Sequence, residues 1–179
     1  MGVSKAQAKK VLDDFRKNLC IGSPGKEPAK PTELILVGSF RRGHERSDDI
    51  DLLAITRHIR PDVRVSLKPG GKYSIHKYGG KDRHIMLKIR AQHHGDKPDG
   101  LIPVDIFVTG PEEKPFALYH YTGSKRYNIR TRKKAKDAGY RLNQYGLFVN
   151  DRKSPGLRSE RDIARRIGVR YRTPADRET

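Results

Sequence analysis

The sequence has no tryptophan, one cysteine and two methionines, and its 21 acidic residues face 39 lysines and arginines. The lone Cys20 excludes an intrachain disulfide and any zinc site built on several cysteines, and it fits a reducing, intracellular compartment. No apolar run approaches the roughly 20 residues that span a bilayer. The opening MGVSKAQAKK has no signal-peptide apolar region, and Ala6 stands where a myristoylation signal wants Ser or Thr. Internal repeats and low-complexity tracts are also missing. These absences set aside a secreted disulfide scaffold, a membrane span and a solenoid.

What is present is charge. The formal net charge is +18 over 179 residues, and the cations cluster in particular segments. Such an excess draws a protein to polyanions. Hydrophobic and charged residues each make up 34% of the chain, so the core is modest but the chain folds. The length suits one domain or two small lobes.

Apolar spacing predicts an amphipathic helix over 4–19, capped by Ser4, with Ala8, Val11, Leu12, Phe15 and Leu19 on one side. The breakers in 22–31 predict a loop. A buried strand is expected at 33–37, then a Gly-Ser turn opening a short helix, then a strand at 49–55. The stretches DVRVSL, KYSIHKY and HIMLKIRAQ predict an antiparallel meander with turns at PGG, YGGKD and HGDKPDG. LIPVDIFVT (101–109) predicts another apolar strand, and GPEEKP after it marks a lobe boundary. Beyond lie a short helix, a helix over 124–139 between Ser124 and Gly139, a hairpin at 140–150, a capped helix ending at Gly168, and a tail at 171–179.

The acids of this basic chain are oddly placed. Side chains alternate along a strand, so Asp49 and Asp51 share one face and Asp48 does not. At ~5 Å and an effective dielectric of 20, two such charges repel by ~3 kcal/mol. A cation between them reverses the sign, and hard carboxylate oxygens suit Mg²⁺. Asp105 sits between Val104 and Ile106, where an unpaired acid is costly. If its strand lies beside the first, three acids converge and can hold two Mg²⁺ ions ~3.5–4 Å apart, the arrangement of in-line phosphoryl transfer. On spacing alone, structural salt bridges with nearby arginines explain these acids equally well.

The turn at Gly38 and Ser39 shifts that balance. It follows a strand, and its backbone N–H groups and the Ser39 hydroxyl can face an anion, with Arg42 close by as a cationic fork for phosphate. A phosphate cradle just before a D-x-D strand implies a nucleoside triphosphate with its metals.

The run GSFRRGHERSDDIDLL resembles the family X DNA polymerases, the polymerase beta-like branch of the nucleotidyltransferases. YHYTGSKRYNIRTR, RLNQYGLF and SERDIARRIGVRYRTPADR are similar to later segments of that family, and EEKPFALYHYTG with LNQYGLF looks closest to its compact viral type. The resemblance runs from about residue 33 onward. It implies an α+β fold: a nucleotidyltransferase palm (1–109), with a mixed or antiparallel sheet and helices, and a small C-terminal α/β nucleotide-selecting lobe (110–179).

Carried over by position, Asp49, Asp51 and Asp105 would be the catalytic metal ligands, for two Mg²⁺ ions that Mn²⁺ can replace. Gly38, Ser39 and Arg42 would hold the triphosphate. His120, Tyr121, Gly123, Asn128 and Arg132 would line the nucleotide site, with the His120–Tyr121 pair against the sugar. His120 replaces a usual Tyr, and Pro103 stands where larger members carry an Arg touching the third acid. There is no room for the larger members' lyase domain or DNA clamp. A separate ligase and lyase or endonuclease are therefore expected, for a monomer acting on gapped or nicked DNA with deoxynucleoside triphosphates, inside a host cell or a virion.

Lys125, Arg126, Arg130, Arg132, Lys133, Lys134 and Lys136 crowd one helix, and their charges repel until a polyanion arrives, which favours DNA contact. His76, His84, His93 and His94 form no metal-ligand pattern and receive no role. The resulting expectation is template-directed, two-metal DNA synthesis filling short gaps in repair. The rivals are a template-independent or RNA-directed nucleotidyltransferase and a non-catalytic DNA-binding module.

Overall fold

A computed structural model describes residues 2–25, 27–57, 62–92 and 100–178. In chain order the elements are β1 (Val3–Ser4), α1 (Lys5–Asn18), β2 (Leu19–Gly22), β3 (Glu33–Leu36), α2 (Gly38–Arg41), β4 (Arg46–Ser47), β5 (Ile50–Ile55), β6 (Arg64–Leu67), β7 (Tyr73–Lys81), β8 (His84–Ala91) and β9 (Ile102–Thr109). Then follow α3 (Lys114–Thr122), α4 (Lys125–Asp137), β10 (Arg141–Asn143), β11 (Gly146–Val149), β12 (Arg152–Lys153) and α5 (Glu160–Arg166). Short 3₁₀ turns cover Pro111–Glu113 and Pro174–Arg177.

The central sheet runs β3-β5-β9-β8-β7. β5 and β9 are parallel, and the other neighbours are antiparallel. Period-two alternation gives this sheet two different faces. Ile50, Leu52 and Ala54 of β5, Val104 and Ile106 of β9, and Ile85, Leu87 and Ile89 of β8 point to one side. There they pack with Ala8, Val11, Leu12 and Phe15 of α1. Each fully buried aliphatic contributes ~1.5–3 kcal/mol before ordering entropy is subtracted. α1 starts where Ser4 and Gln7 cap each other reciprocally.

The opposite face carries Asp51, Leu53 and Ile55 of β5 and Asp105 and Phe107 of β9. Only the later part of it is covered by apolar groups: Leu53 and Ile55 cluster with Val37 and Ala117, and Phe107 and Tyr121 pack alongside. The acids therefore lie on the stretch of this face that α3 leaves uncovered. A second core forms around Phe116, Tyr119, Tyr127, Leu142, Leu147, Ile163 and Ile167, all beyond residue 110.

Four expectations change. DVRVSL does not join the meander: β6 pairs with β2, placing Val65 opposite Ile21. YGGKD is not a turn, because β7 runs through Gly79 and Gly80 to Lys81 and reverses at Asp82. A Cβ at Gly80 would lie 2.2 Å from the His84 carbonyl oxygen, so glycine here permits close strand approach. The 49–55 strand begins at Ile50, with Asp49 in the bend before it. The tail is ordered: Arg177 is fully buried in the second core region. The greater part of the expected HGDKPDG turn, with His93 and His94, lies outside the described residues.

Candidate active site

Parallel pairing places Asp51 directly opposite Asp105. The bend before β5 swings Asp49 toward them, so oxygens of all three carboxylates lie within 4.8 Å of one another. Asp48 is exposed and is not part of the group. Among the described residues no lysine or arginine forms a salt bridge with any of the three, which removes the structural ion-pair reading. Burial and neighbouring charge show in the acidity of Asp51 and Asp105. Burial, then the charges of Asp49 and Asp105, push the Asp51 carboxyl up to about 7, against a smaller opposing pull from Arg42. Burial also raises Asp105, and His84 opposes it. Three hard oxygen donors brought this close together fit a divalent cation.

Gly38 is fixed by this geometry. Its φ is +58°, and a Cβ there would sit 1.9 Å from Asp51 Oδ2. The Val37 N–H donates to the Asp51 carbonyl at 2.9 Å, which ties the turn to the acid strand. Arg42 reaches back over the turn. Its Nη2 donates to Ser39 Oγ at 3.2 Å and its Nη1 to the Thr122 carbonyl at 2.6 Å. Gly123 leaves room for this: with φ +70°, a Cβ on it would meet Arg42 Nη1 at 3.1 Å.

His120, Asn128 and Arg132 form one hydrogen-bonded group. Asn128 Nδ2 donates to the His120 carbonyl at 2.7 Å, and Arg132 Nη2 lies 2.9 Å from His120 Nδ1. Burial, then the Arg132 charge, lowers the His120 pKa to about 4. The ring is thus neutral at neutral pH, with Nδ1 accepting from Arg132 and the proton on Nε2. Tyr121 stacks on Phe107 with ring centroids 3.9 Å apart and planes 15° apart. Phe107 stacks in turn on His84 at 4.6 Å.

α4 buries Tyr127, Thr131 and Ala135. Lys125, Arg126, Arg130, Arg132, Lys133, Lys134 and Lys136 are all exposed, and among the described residues none has an acidic partner in a salt bridge. Arg130 lies over the Tyr127 ring.

Three features escaped the sequence reading. His84, given no role there, places its buried Nε2 3.3 Å from Asp105 Oδ1 without a well-aligned hydrogen bond. The two meet because His84 pairs with Phe107 across β8 and β9, making Asp105 its diagonal neighbour on the same face. Glu160 is gripped by Arg41 and Arg177. Glu178 accepts from Arg42. Only the cross-strand register, which no local pattern encodes, would have found the first, and the other two link residues more than a hundred positions or a turn of tail apart.

Acids matched in register across two parallel strands, beside a glycine that only a bare backbone can fill, belong to a nucleotidyltransferase palm. Known proteins agree. Residues 117–178 match the family described as DNA polymerase beta thumb. Polymerase beta of Leishmania infantum, crystallised as a ternary P/T complex, has the same fold: TM-score 0.74 at 18% identity, over 100% of this chain and 77% of that one. The repair DNA polymerase X of African swine fever virus (strain Badajoz 1971 Vero-adapted) is 30% identical over 179 residues, covering 96% of this chain and 97% of the viral protein. The human DNA-directed DNA/RNA polymerase mu is 28% identical over 79% of this chain and 36% of its own. The chain belongs to the family X DNA polymerases and is a DNA-directed DNA polymerase.

Proposed function

We propose that this polymerase fills short gaps in DNA under repair, using residues 1–109 as a catalytic palm and 110–179 as a nucleotide-selecting lobe. The convergence of Asp49, Asp51 and Asp105, with no lysine or arginine among the described residues in salt-bridge contact with them, is the observation that carries this reading. Asp49 and Asp51 would hold two divalent cations, Mg²⁺ by the hardness of the donors, with Asp105 completing the site of one of them. When bound, such cations supply neutralisation of the triphosphate and acidify the attacking hydroxyl.

The chain's own groups do the rest. Ser39 and Arg42 grip the triphosphate. Asp105 orients the primer 3′-hydroxyl and takes its proton on Oδ2, the oxygen turned from His84. The hydroxyl oxygen bonds to the α-phosphorus as the bond to pyrophosphate breaks. Tyr121, braced on Phe107, bounds the sugar. His120, Asn128 and Arg132 face the nascent pair, and the cations of α4 neutralise DNA phosphates. Ligation and removal of blocked ends fall to separate proteins, and the polymerase works as a monomer in a reducing compartment.

The test is extension on DNA with a one-nucleotide gap, with Mg²⁺ and all four deoxynucleoside triphosphates. Templated addition of one nucleotide is expected. Equal extension of a single-stranded primer with no template preference would replace this reading with a template-independent transferase. DNA binding with no extension would leave a binding module.

A further inference from the structure

The two side chains assigned to the triphosphate are not idle. Arg42 and Ser39 bond each other, and Arg42 Nη1 is engaged by the Thr122 carbonyl. The remaining Nε donates to Glu178 Oε1. The same oxygen lies 2.7 Å from His44 Nε2. The Arg42 side chain is only 12% exposed, so its charge is met by this carboxylate more than by water. A carboxylate offers a guanidinium the same kind of anionic oxygen that a phosphate does.

Glu178 is held there by a firm mount. Its neighbour Arg177 is fully buried. Arg177 Nη1 donates to Glu160 Oε1 at 3.0 Å and Nε to the Arg172 carbonyl at 3.1 Å, while its own carbonyl accepts from Ser124 Oγ at 2.7 Å. The guanidinium also lies over the rings of Tyr119 and Tyr127. The Glu178 side chain itself is 42% exposed and lies outside any helix or strand. A fixed backbone thus carries a side chain that has open solvent to move into.

We propose that Glu178 sets the enzyme's nucleotide affinity by capping Arg42 in the nucleotide-free enzyme, and that an incoming triphosphate displaces it. This rests on the reading of Arg42 as a triphosphate ligand. A triphosphate and the Glu178 carboxylate on one guanidinium repel each other. The free energy needed to part Glu178 from Arg42 and His44 is therefore subtracted from the binding of any ligand that takes Arg42. A nucleotide that does not reach Arg42 escapes that cost. Its bond to Arg42 and, less strongly, its bond to His44 hold the Glu178 carboxyl below its ordinary pKa, so the cap stays charged at neutral pH.

The experiment measures calorimetric affinity for a deoxynucleoside triphosphate whose α–β bridge is a methylene, with gapped DNA and Mg²⁺, for the full chain and for Glu178→Gln, Glu178→Ala and Arg42→Ala. Both Glu178 variants should bind the analogue roughly 3- to 10-fold more tightly, Ala at least as much as Gln. Their affinity for the corresponding deoxynucleoside monophosphate should not change. Weakened binding in both would make Glu178 a support that orients Arg42, and unchanged binding would make it a bystander; either overturns the inference. If Arg42→Ala binds the analogue as well as the unaltered chain, Arg42 is not a triphosphate ligand, and the inference falls with that reading.

Discussion

The molecule holds its acids in two opposite ways. Glu160 sits between two guanidiniums: Oε2 is 2.6 Å from Arg41 Nη2, and Oε1 is 3.1 Å from Arg41 Nη1 and 3.0 Å from Arg177 Nη1. Asp49, Asp51 and Asp105 sit together with no lysine or arginine in salt-bridge contact among the described residues. The first arrangement closes on itself and joins α2 to α5. The second leaves three carboxylates facing one another, a donor set that fits a divalent cation. Buried ion pairs are weak evidence for stability in themselves, but removing one partner strands the other. On the proposed reading, matched acids here are structure and unmatched acids are chemistry.

The strongest way to break that contrast is to neutralise the unmatched set. Asp49→Asn, Asp51→Asn and Asp105→Asn should each lower kcat for gap filling ~10³-fold or more while circular dichroism stays unchanged, since several kcal/mol of charge stabilisation are lost. EDTA should stop the unaltered enzyme. A variant that keeps a near-normal rate marks its residue as no metal ligand.

The matched set should respond in stability instead. Glu160→Ala leaves Arg177 buried and unpaired and should cost ~3–5 kcal/mol by urea unfolding. Arg177 Nη2 already lacks a partner, so little remains to absorb the charge except the tyrosine rings around it. A loss below ~1 kcal/mol would show that those rings, rather than Glu160, hold Arg177 in place.

Unpaired cations make the mirror case. Replacing Lys133, Lys134 and Lys136 by Ala should weaken DNA binding for all sequences alike. The slope of log affinity against log salt should flatten by ~0.9 for each phosphate that is no longer neutralised. An unaltered slope in filter binding would place that side of α4 away from DNA.

Much of the unmatched site could be read along the chain. Alternation paired Asp49 with Asp51, although it is the bend before β5 that carries Asp49 there, and the acid inside LIPVDIFVT would converge with them if its strand lay alongside, as β9 does. The caps Ser4, Ser124 and Ser159 located three helices, because a cap is a local interaction. The matched acids could not be read this way. Glu160 follows a cap and looks like an ordinary first-turn acid, and Arg177 stands in a polar stretch that resembles a tail. Their meaning comes from packing between elements far apart in sequence. The same holds for His84, which touches Asp105 only through antiparallel register, and for β6, whose partner is β2 rather than its neighbour in sequence. Gly79 and Gly80 misled for a related reason: glycine serves turns and close strand approach alike.

The smallest effect tests the contrast at its root, in the metal-free protein. Asp51 carries a folded-state pKa raised from 3.8 to about 7, chiefly by burial and then by Asp49 and Asp105. The folded chain therefore binds the proton more tightly than the unfolded chain does. That contribution to stability is fully present below pH ~4 and is lost as pH rises through about 7. Asp51→Asn removes the penalty by supplying a neutral group of the same shape. Without metal at pH 8, the variant should melt ~2–6 °C above the unaltered chain by calorimetry, and the gap should shrink to roughly a third at pH 5 and close below pH ~4. Adding Mg²⁺ at pH 8 should raise the melting temperature of the unaltered chain and leave that of the variant nearly unmoved. A variant that melts lower at pH 8, or that gains as much from Mg²⁺, would mean the three acids are already balanced within the protein, and the distinction between matched and unmatched acids would be lost.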